Sequence, residues 1–118
     1  MEEYAYISHE SKFGKNKYLM VTEEHGFGFC RLSKYPEYNY LILSDLHVDN
    51  DCRGKGIGYG LLKFCETYTK RCNIPYMVIY INKDAENKNY LESYYKRFGF
   101  DNFNEDNEQY CLIKKVIE

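Results

Sequence analysis

Eleven residues, Val48-Asp49-Asn50-Asp51-Cys52-Arg53-Gly54-Lys55-Gly56-Ile57-Gly58, limit what this chain can fold into more than any other stretch. A run rich in Leu, Ile and Val, Tyr40–Val48, leads into them. Apolar residues at helical spacing, Leu61, Leu62, Cys65, Tyr68 and Cys72, follow them, with Lys63, Glu66, Lys70 and Arg71 on the other side. The stretch is therefore a strand-to-helix turn, and the helix runs from about Ile57 to Cys72, ended by Asn73 and Pro75. Alternate glycines let the backbone turn tightly and aim its N–H groups at one point. The first turn of the helix adds unpaired N–H groups and a positive dipole end. Such a turn holds phosphate, and Arg53 and Lys55 add charge at its mouth.

Spacing excludes the common nucleotide loops. No Gly-x-x-x-x-Gly-Lys-Ser/Thr string exists. Gly-x-Gly-x-x-Gly fails twice, because position 59 is Tyr59 and position 61 is Leu61. Five residues, Asp49 to Arg53, also separate the strand from its first glycine, whereas a dinucleotide turn places the glycine directly after the strand.

The flanking elements read as follows. Tyr4–Ile7 is a short strand and Ser11–Lys17 a polar turn. Tyr18–Thr22 and Phe27–Leu32 form a hairpin about Glu23–Gly26. Ser33–Asn39, with Pro36, is a loop. Tyr76–Ile81 is apolar almost throughout and suits a strand covered on both faces. Leu91, Tyr94, Tyr95 and Phe98 mark a helix over about Asn89–Phe98, closed by Gly99. Phe100–Phe103 and Gln109–Val116 are final strands about a turn at Asn104–Asn107. The class is α+β: a mixed, mostly antiparallel sheet with two helices, expected as three layers (α/β/α). All 118 residues form one domain.

Bulk properties exclude several functions. A net charge of −2 provides no field for nucleic acid. No apolar run is long enough to span a bilayer and Met1-Glu2-Glu3 is not a signal peptide, so a cytoplasmic location without membrane attachment is expected. Five cysteines without paired spacing make no disulfide framework, and with scattered histidines (His9, His25, His47) no metal site is expected.

Arg-x-x-Gly-x-Gly, as Arg53 to Gly58, with Leu46-His47-Val48 ending the strand before it, resembles the acetyl-CoA signature of the GNAT superfamily of N-acetyltransferases. Tyr94-Tyr95-Lys96-Arg97-Phe98-Gly99-Phe100 resembles the second signature of that family, in the order and at about the separation the family shows. The resemblance covers roughly Leu41–Phe100. It implies a GNAT-like fold and an N-acetyltransferase that moves acetyl from acetyl-CoA to a primary amine by direct attack. The pantetheine arm would pair with Leu46, His47 and Val48 like an added strand. The pyrophosphate would meet Arg53, Gly54, Lys55, Gly56, Ile57 and Gly58. The Leu46 N–H would stabilise the oxyanion, and Tyr95, four residues before Gly99, would be the general acid, with neighbouring Tyr94 as the alternative.

Three positions depart from the pattern. Where relatives carry a Glu or His base on the splayed strand, this chain has Ser44 and Ile42. Asp45 and His47 should point to the other face unless a bulge turns them, so the base stays unassigned. The family's cofactor-touching Asn falls on Lys88, and flanking Asn87 or Asn89 would substitute. The N-terminal region is short: only Ser8–Lys17 stands where the family has two helices, which leaves the acceptor site open or completed by a second subunit in a homodimer. The acceptor is a small-molecule or peptide amine, and acidic Asp101–Glu108 would favour a cationic one. The competing reading is a non-catalytic acyl-CoA-binding module or sensor that keeps the fold.

Overall fold

The structure, a computed structural model, describes residues 4–82, 84, 86–105 and 109–117. Its strands are β1 (Tyr6–Phe13), β2 (Asn16–Glu23), β3 (Gly28–Lys34), β4 (Tyr40–Val48), β5 (Tyr76–Asn82), β6 (Asp101–Glu105) and β7 (Gln109–Lys115). Its helices are α1 (Ile57–Arg71) and α2 (Lys88–Phe98), with a single 3₁₀ turn at Asn50–Cys52. The strands form one sheet in the order β1-β2-β3-β4-β5-β7-β6. Neighbours are antiparallel except β4 and β5, which run parallel and are joined through α1.

The first strand is longer than expected. β1 reaches Phe13, and the turn to β2 is only Gly14-Lys15. Seven of its eight side chains are exposed, so no apolar alternation marks it in the sequence. The ladder from Tyr6↔Glu23 to Phe13↔Asn16 holds it instead. No helix lies between β1 and β2, where the family resemblance placed two. The expected final turn at Asn104–Asn107 and the acidic stretch to Glu108 fall partly on residues 106–108, outside the described residues.

The α+β class with a mixed, mostly antiparallel sheet is the observed one, but its layering departs from three layers. Both helices pack on the same face. On the sheet that face carries Leu19, Val21, Cys30, Leu32, Leu41, Leu43, Met77, Ile79 and Leu112. α1 meets it with Ile57, Leu61, Leu62 and Cys65, and α2 meets it with Tyr95. Cys30 and Cys65 touch at 3.5 Å between sulfurs, both as free thiols. Each fully buried Leu contributes about 1.5–3 kcal/mol. The opposite face carries no helix among the described residues, and β1 and β2 are joined by a short turn.

One buried carboxylate ties the helices together. Glu66 of α1 accepts from Lys114 Nζ of β7, and Lys63 and Lys70 each stand 3.5 Å away. Lys114 also donates to the Phe98 carbonyl at the end of α2, at 2.9 Å. Burial alone would raise the Glu66 pKa, but Lys114 with Lys63 and Lys70 holds it below the ordinary value. A depressed folded-state pKa adds stability above the unfolded value and loses it as pH falls through the folded one. Thermal unfolding midpoints should therefore drop on acidification below about pH 4. In Glu66→Gln that drop should be shallower, and at neutral pH the variant should be less stable by on the order of 2–3 kcal/mol, because Lys114 loses its counter-charge. An unchanged acid slope in the variant would assign the pH dependence to other carboxylates.

Candidate functional site

β4 and β5 part company halfway along. Their pairing runs from Tyr40↔Tyr76 to Leu43↔Ile79 and then stops. Beyond it β4 stays with β3 as far as Gly28↔Val48, while β5 stays with β7 as far as Asn82↔Gln109. The cause lies in β4, where Asp45 and Leu46 together oppose Cys30, between the pairs Arg31↔Ser44 and Phe29↔His47. This is a β-bulge, with Asp45 at φ +57°, a conformation that non-glycine residues seldom adopt. The bulge resets the alternation. Asp45 reaches Arg31 at 3.2 Å, and the His47 ring lies 5.4 Å from Phe29, its cross-strand partner. Asp45 and His47 thus join Ser44 on the helix-free face, contrary to what strict alternation predicts. Leu46 and Val48 turn to the helix side and pack against the core.

On the helix side the fork opens into a cleft of about 520 Å³. One wall is the end of β4, at Leu46, His47 and Val48. The floor is the glycine turn, where Gly54 and Gly56 adopt φ +80° and +88°. A Cβ at either would meet no atom within 4 Å, so these glycines are there for backbone conformation and not to relieve crowding. Gly60 N–H is the first in α1 to bond backward, to the Gly56 carbonyl. The N–H groups of Gly54 to Tyr59 have no partner among the described residues. Arg53 folds back so that Nε donates to the Val48 carbonyl at 3.2 Å, which fixes the loop to the strand end.

α2 makes the far wall. Asn87 precedes its first turn and lines the cleft, as do Tyr90, Tyr94, Tyr95 and Arg97. Tyr95 is 6% exposed, with its ring edge-on to Phe100 at 5.9 Å. Its hydroxyl has no hydrogen-bond partner among the described residues. Burial, with Tyr94 and Cys30 adding, pushes its pKa above the ordinary tyrosine value. The Tyr94 pKa is also raised, by burial first and then by Tyr90 and Tyr6, against Arg97.

The cleft brings together most of the residues singled out in the sequence: Leu46, His47, Val48, the loop from Arg53 to Gly58 except Lys55, Asn87 and Tyr95. Lys55 sits exposed in the loop but off the lining, and Asn89 is exposed on α2 away from it. Asn87, at the N-terminal end of α2, is the one of the two flanking asparagines that lines the cleft. Tyr90 and Arg97 were not singled out. Their signal was the i, i+4, i+7 stripe that they form with Tyr94.

Residues 14–102 match a family profile described as an acetyltransferase (GNAT) domain. An uncharacterized N-acetyltransferase of Methanocaldococcus jannaschii is 29% identical over 100 residues, which cover 72% of this chain and 43% of that protein. The fold resembles PaiA N-acetyltransferase from Thermoplasma acidophilum in complex with coenzyme A, with a TM-score of 0.69 and 22% identity over 86% of this chain and 61% of that one. It also resembles the ribosomal-protein-S18-alanine N-acetyltransferase from Escherichia coli, with a TM-score of 0.67 and 11% identity over 91% and 73%. The chain thus spans less than half the length of the curated relative it matches. No helix among the described residues is long and apolar enough to cross a membrane. With the profile covering most of its length and the forked sheet beneath it, the chain belongs to the GNAT acetyltransferase family.

Proposed function

We propose that this domain binds acetyl-CoA in the forked cleft and transfers the acetyl group to a primary amine of a small-molecule or peptide acceptor. The observation that carries this reading is the run of unpartnered N–H groups from Gly54 to Tyr59, facing a wall that holds the buried Tyr95. An anion at the loop gains those donors and the positive end of α1 together. The thioester end then lies beside the end of β4, where the Leu46 N–H can receive charge from the carbonyl oxygen. The amine nitrogen attacks the carbonyl carbon, the C–S bond breaks, Tyr95 donates a proton to the departing thiolate, and the proton that the amide nitrogen sheds passes to solvent, from which Tyr95 is reprotonated. A neutral amine is required, and no base is assigned to supply it.

That gap favours the second reading, a module that binds acyl-CoA without turning it over. The two separate in one experiment. Acetyl-CoA should raise the unfolding midpoint under either reading, by about 2.7 kcal/mol of added stability at a hundredfold excess over Kd. Offered a panel of primary amines, the enzyme should release CoA thiol with at least one. A midpoint shift without thiol release for any amine would leave the binding module.

A further inference from the structure

We propose that Tyr94 and Arg97 form a second phosphate-binding wall across the cleft from the glycine loop, so that the Tyr94 hydroxyl serves cofactor binding and not proton transfer. The inference rests on the acyl-CoA reading of the cleft and assigns residues beyond it. It starts from Gly58. A Cβ built there would lie 2.7 Å from the Tyr94 hydroxyl oxygen, and 3.7 Å from Cζ of the same ring. The hydroxyl therefore stands beside the first turn of α1, in space that any side chain at Gly58 would fill. Gly58 is helical, so the reason for a glycine there is this close approach.

The rest of the stripe extends the wall. Tyr90, one turn earlier, stacks against Tyr94 with ring centroids 6.3 Å apart and planes 22° from parallel, and it is 63% exposed. Arg97, one turn later, is exposed, lines the cleft and makes no ion pair among the described residues. Its positive charge acts on Tyr94. α2 thus offers the cleft an aromatic face, a hydroxyl and a guanidinium in succession. CoA has anionic groups at two places, the pyrophosphate and the 3′-phosphate, the latter beside an aromatic base. One glycine loop accounts for one of them. The hydroxyl over the loop adds a donor to the pyrophosphate site, and Arg97 meets the 3′-phosphate. The thioester lies a pantetheine arm away from the pyrophosphate, so a hydroxyl fixed at the loop is at the wrong end of the cofactor to act as the acid.

The test compares CoA with dephospho-CoA, which lacks only the 3′-phosphate, in direct binding titrations. Tyr94→Phe should weaken both ligands by the same factor, about tenfold for one hydrogen bond to a charged group. Arg97→Met should weaken CoA by about tenfold and leave dephospho-CoA unchanged, and Arg97→Lys should restore part of the difference. Ligand-free unfolding midpoints close to that of the parent chain confirm folded variants. Tyr94→Phe binding CoA as tightly as the parent would overturn the role of Tyr94. Equal losses for both ligands in Arg97→Met would overturn the pairing of Arg97 with the 3′-phosphate. A parent chain that binds neither ligand would instead refute the acyl-CoA reading beneath both.

Discussion

Gly56→Glu is expected to abolish acetyl-CoA binding while leaving a folded protein. Gly56 caps α1 at φ +88°, and a residue with a Cβ at such an angle costs about 1–2 kcal/mol. That cost is bearable, because nothing lies within 4 Å of the added atom and no packing is broken. The carboxylate, however, extends into the space that the loop N–H groups face. It takes the favourable end of the helix for itself, a gain of about 0.3–1 kcal/mol. It then repels any phosphate by roughly 4 kcal/mol at about 4 Å, close to a thousandfold in Kd. Gly56→Ala carries the same backbone strain without the charge, so its Kd should move far less. Calorimetric titration of both variants checks this. Tight binding by Gly56→Glu would show that the phosphate sits elsewhere.

Tyr95→Phe is expected to reduce turnover by tenfold or more while Kd for acetyl-CoA stays near the parent value. General acid catalysis contributes about 10²–10⁴ in rate, and a thiolate leaving group draws on the lower part of that range. The ring is held by the core, 6% exposed and edge-on to Phe100, so removal of the oxygen leaves the packing in place. The same burial raises the pKa above the usual tyrosine value, with Tyr94 and Cys30 adding to it. A raised pKa keeps the acid form populated throughout the neutral and mildly alkaline range. The rate should therefore show no alkaline decline below about pH 9 that Tyr95→Phe removes. Thiol-release rates with any accepted amine provide the measurement. Equal turnover in the two proteins would take Tyr95 out of the mechanism. Tyr94→Phe should behave in the opposite way, losing affinity and not rate.

The cleft was legible in the sequence wherever a residue type answers to local geometry. Gly54 and Gly56 adopt positive φ, and the apolar residues Leu61, Leu62 and Cys65 at helical spacing form the buried side of α1. Tyr95 was singled out through the family resemblance, four residues before Gly99, and the structure places it in the cleft wall. The misses came from effects that no local pattern encodes. β1 is an edge strand whose exposed, polar residues look like a turn, and only its ladder with β2 makes it a strand. The bulge at Asp45 belongs to the β3–β4 register, so the face on which Asp45 and His47 lie was undecidable from alternation alone. The helices share one face because Tyr95 and Cys65 draw on the same core, a contact between distant segments. Tyr94 was named as the alternative acid, and the close approach of its hydroxyl to Gly58 is a contact between distant segments that no spacing encodes.

The single parallel pair has a consequence for how the site comes into being. β1 to β4 form a meander of neighbours in sequence, closed by short turns. The β4–β5 pair is closed through the whole of α1, which crosses the sheet between them, and α2 follows β5 in the chain. Loop-closure entropy must be met at that seam before its contacts repay it. The glycine loop lies on one side of the seam and Tyr94, Tyr95 and Arg97 lie on the other. A chain in which that seam is open does not hold both walls together. A stalled or clipped fragment that keeps strands, helix and loop carries half a cleft, so on the acyl-CoA reading cofactor binding is expected to report completed assembly of the domain.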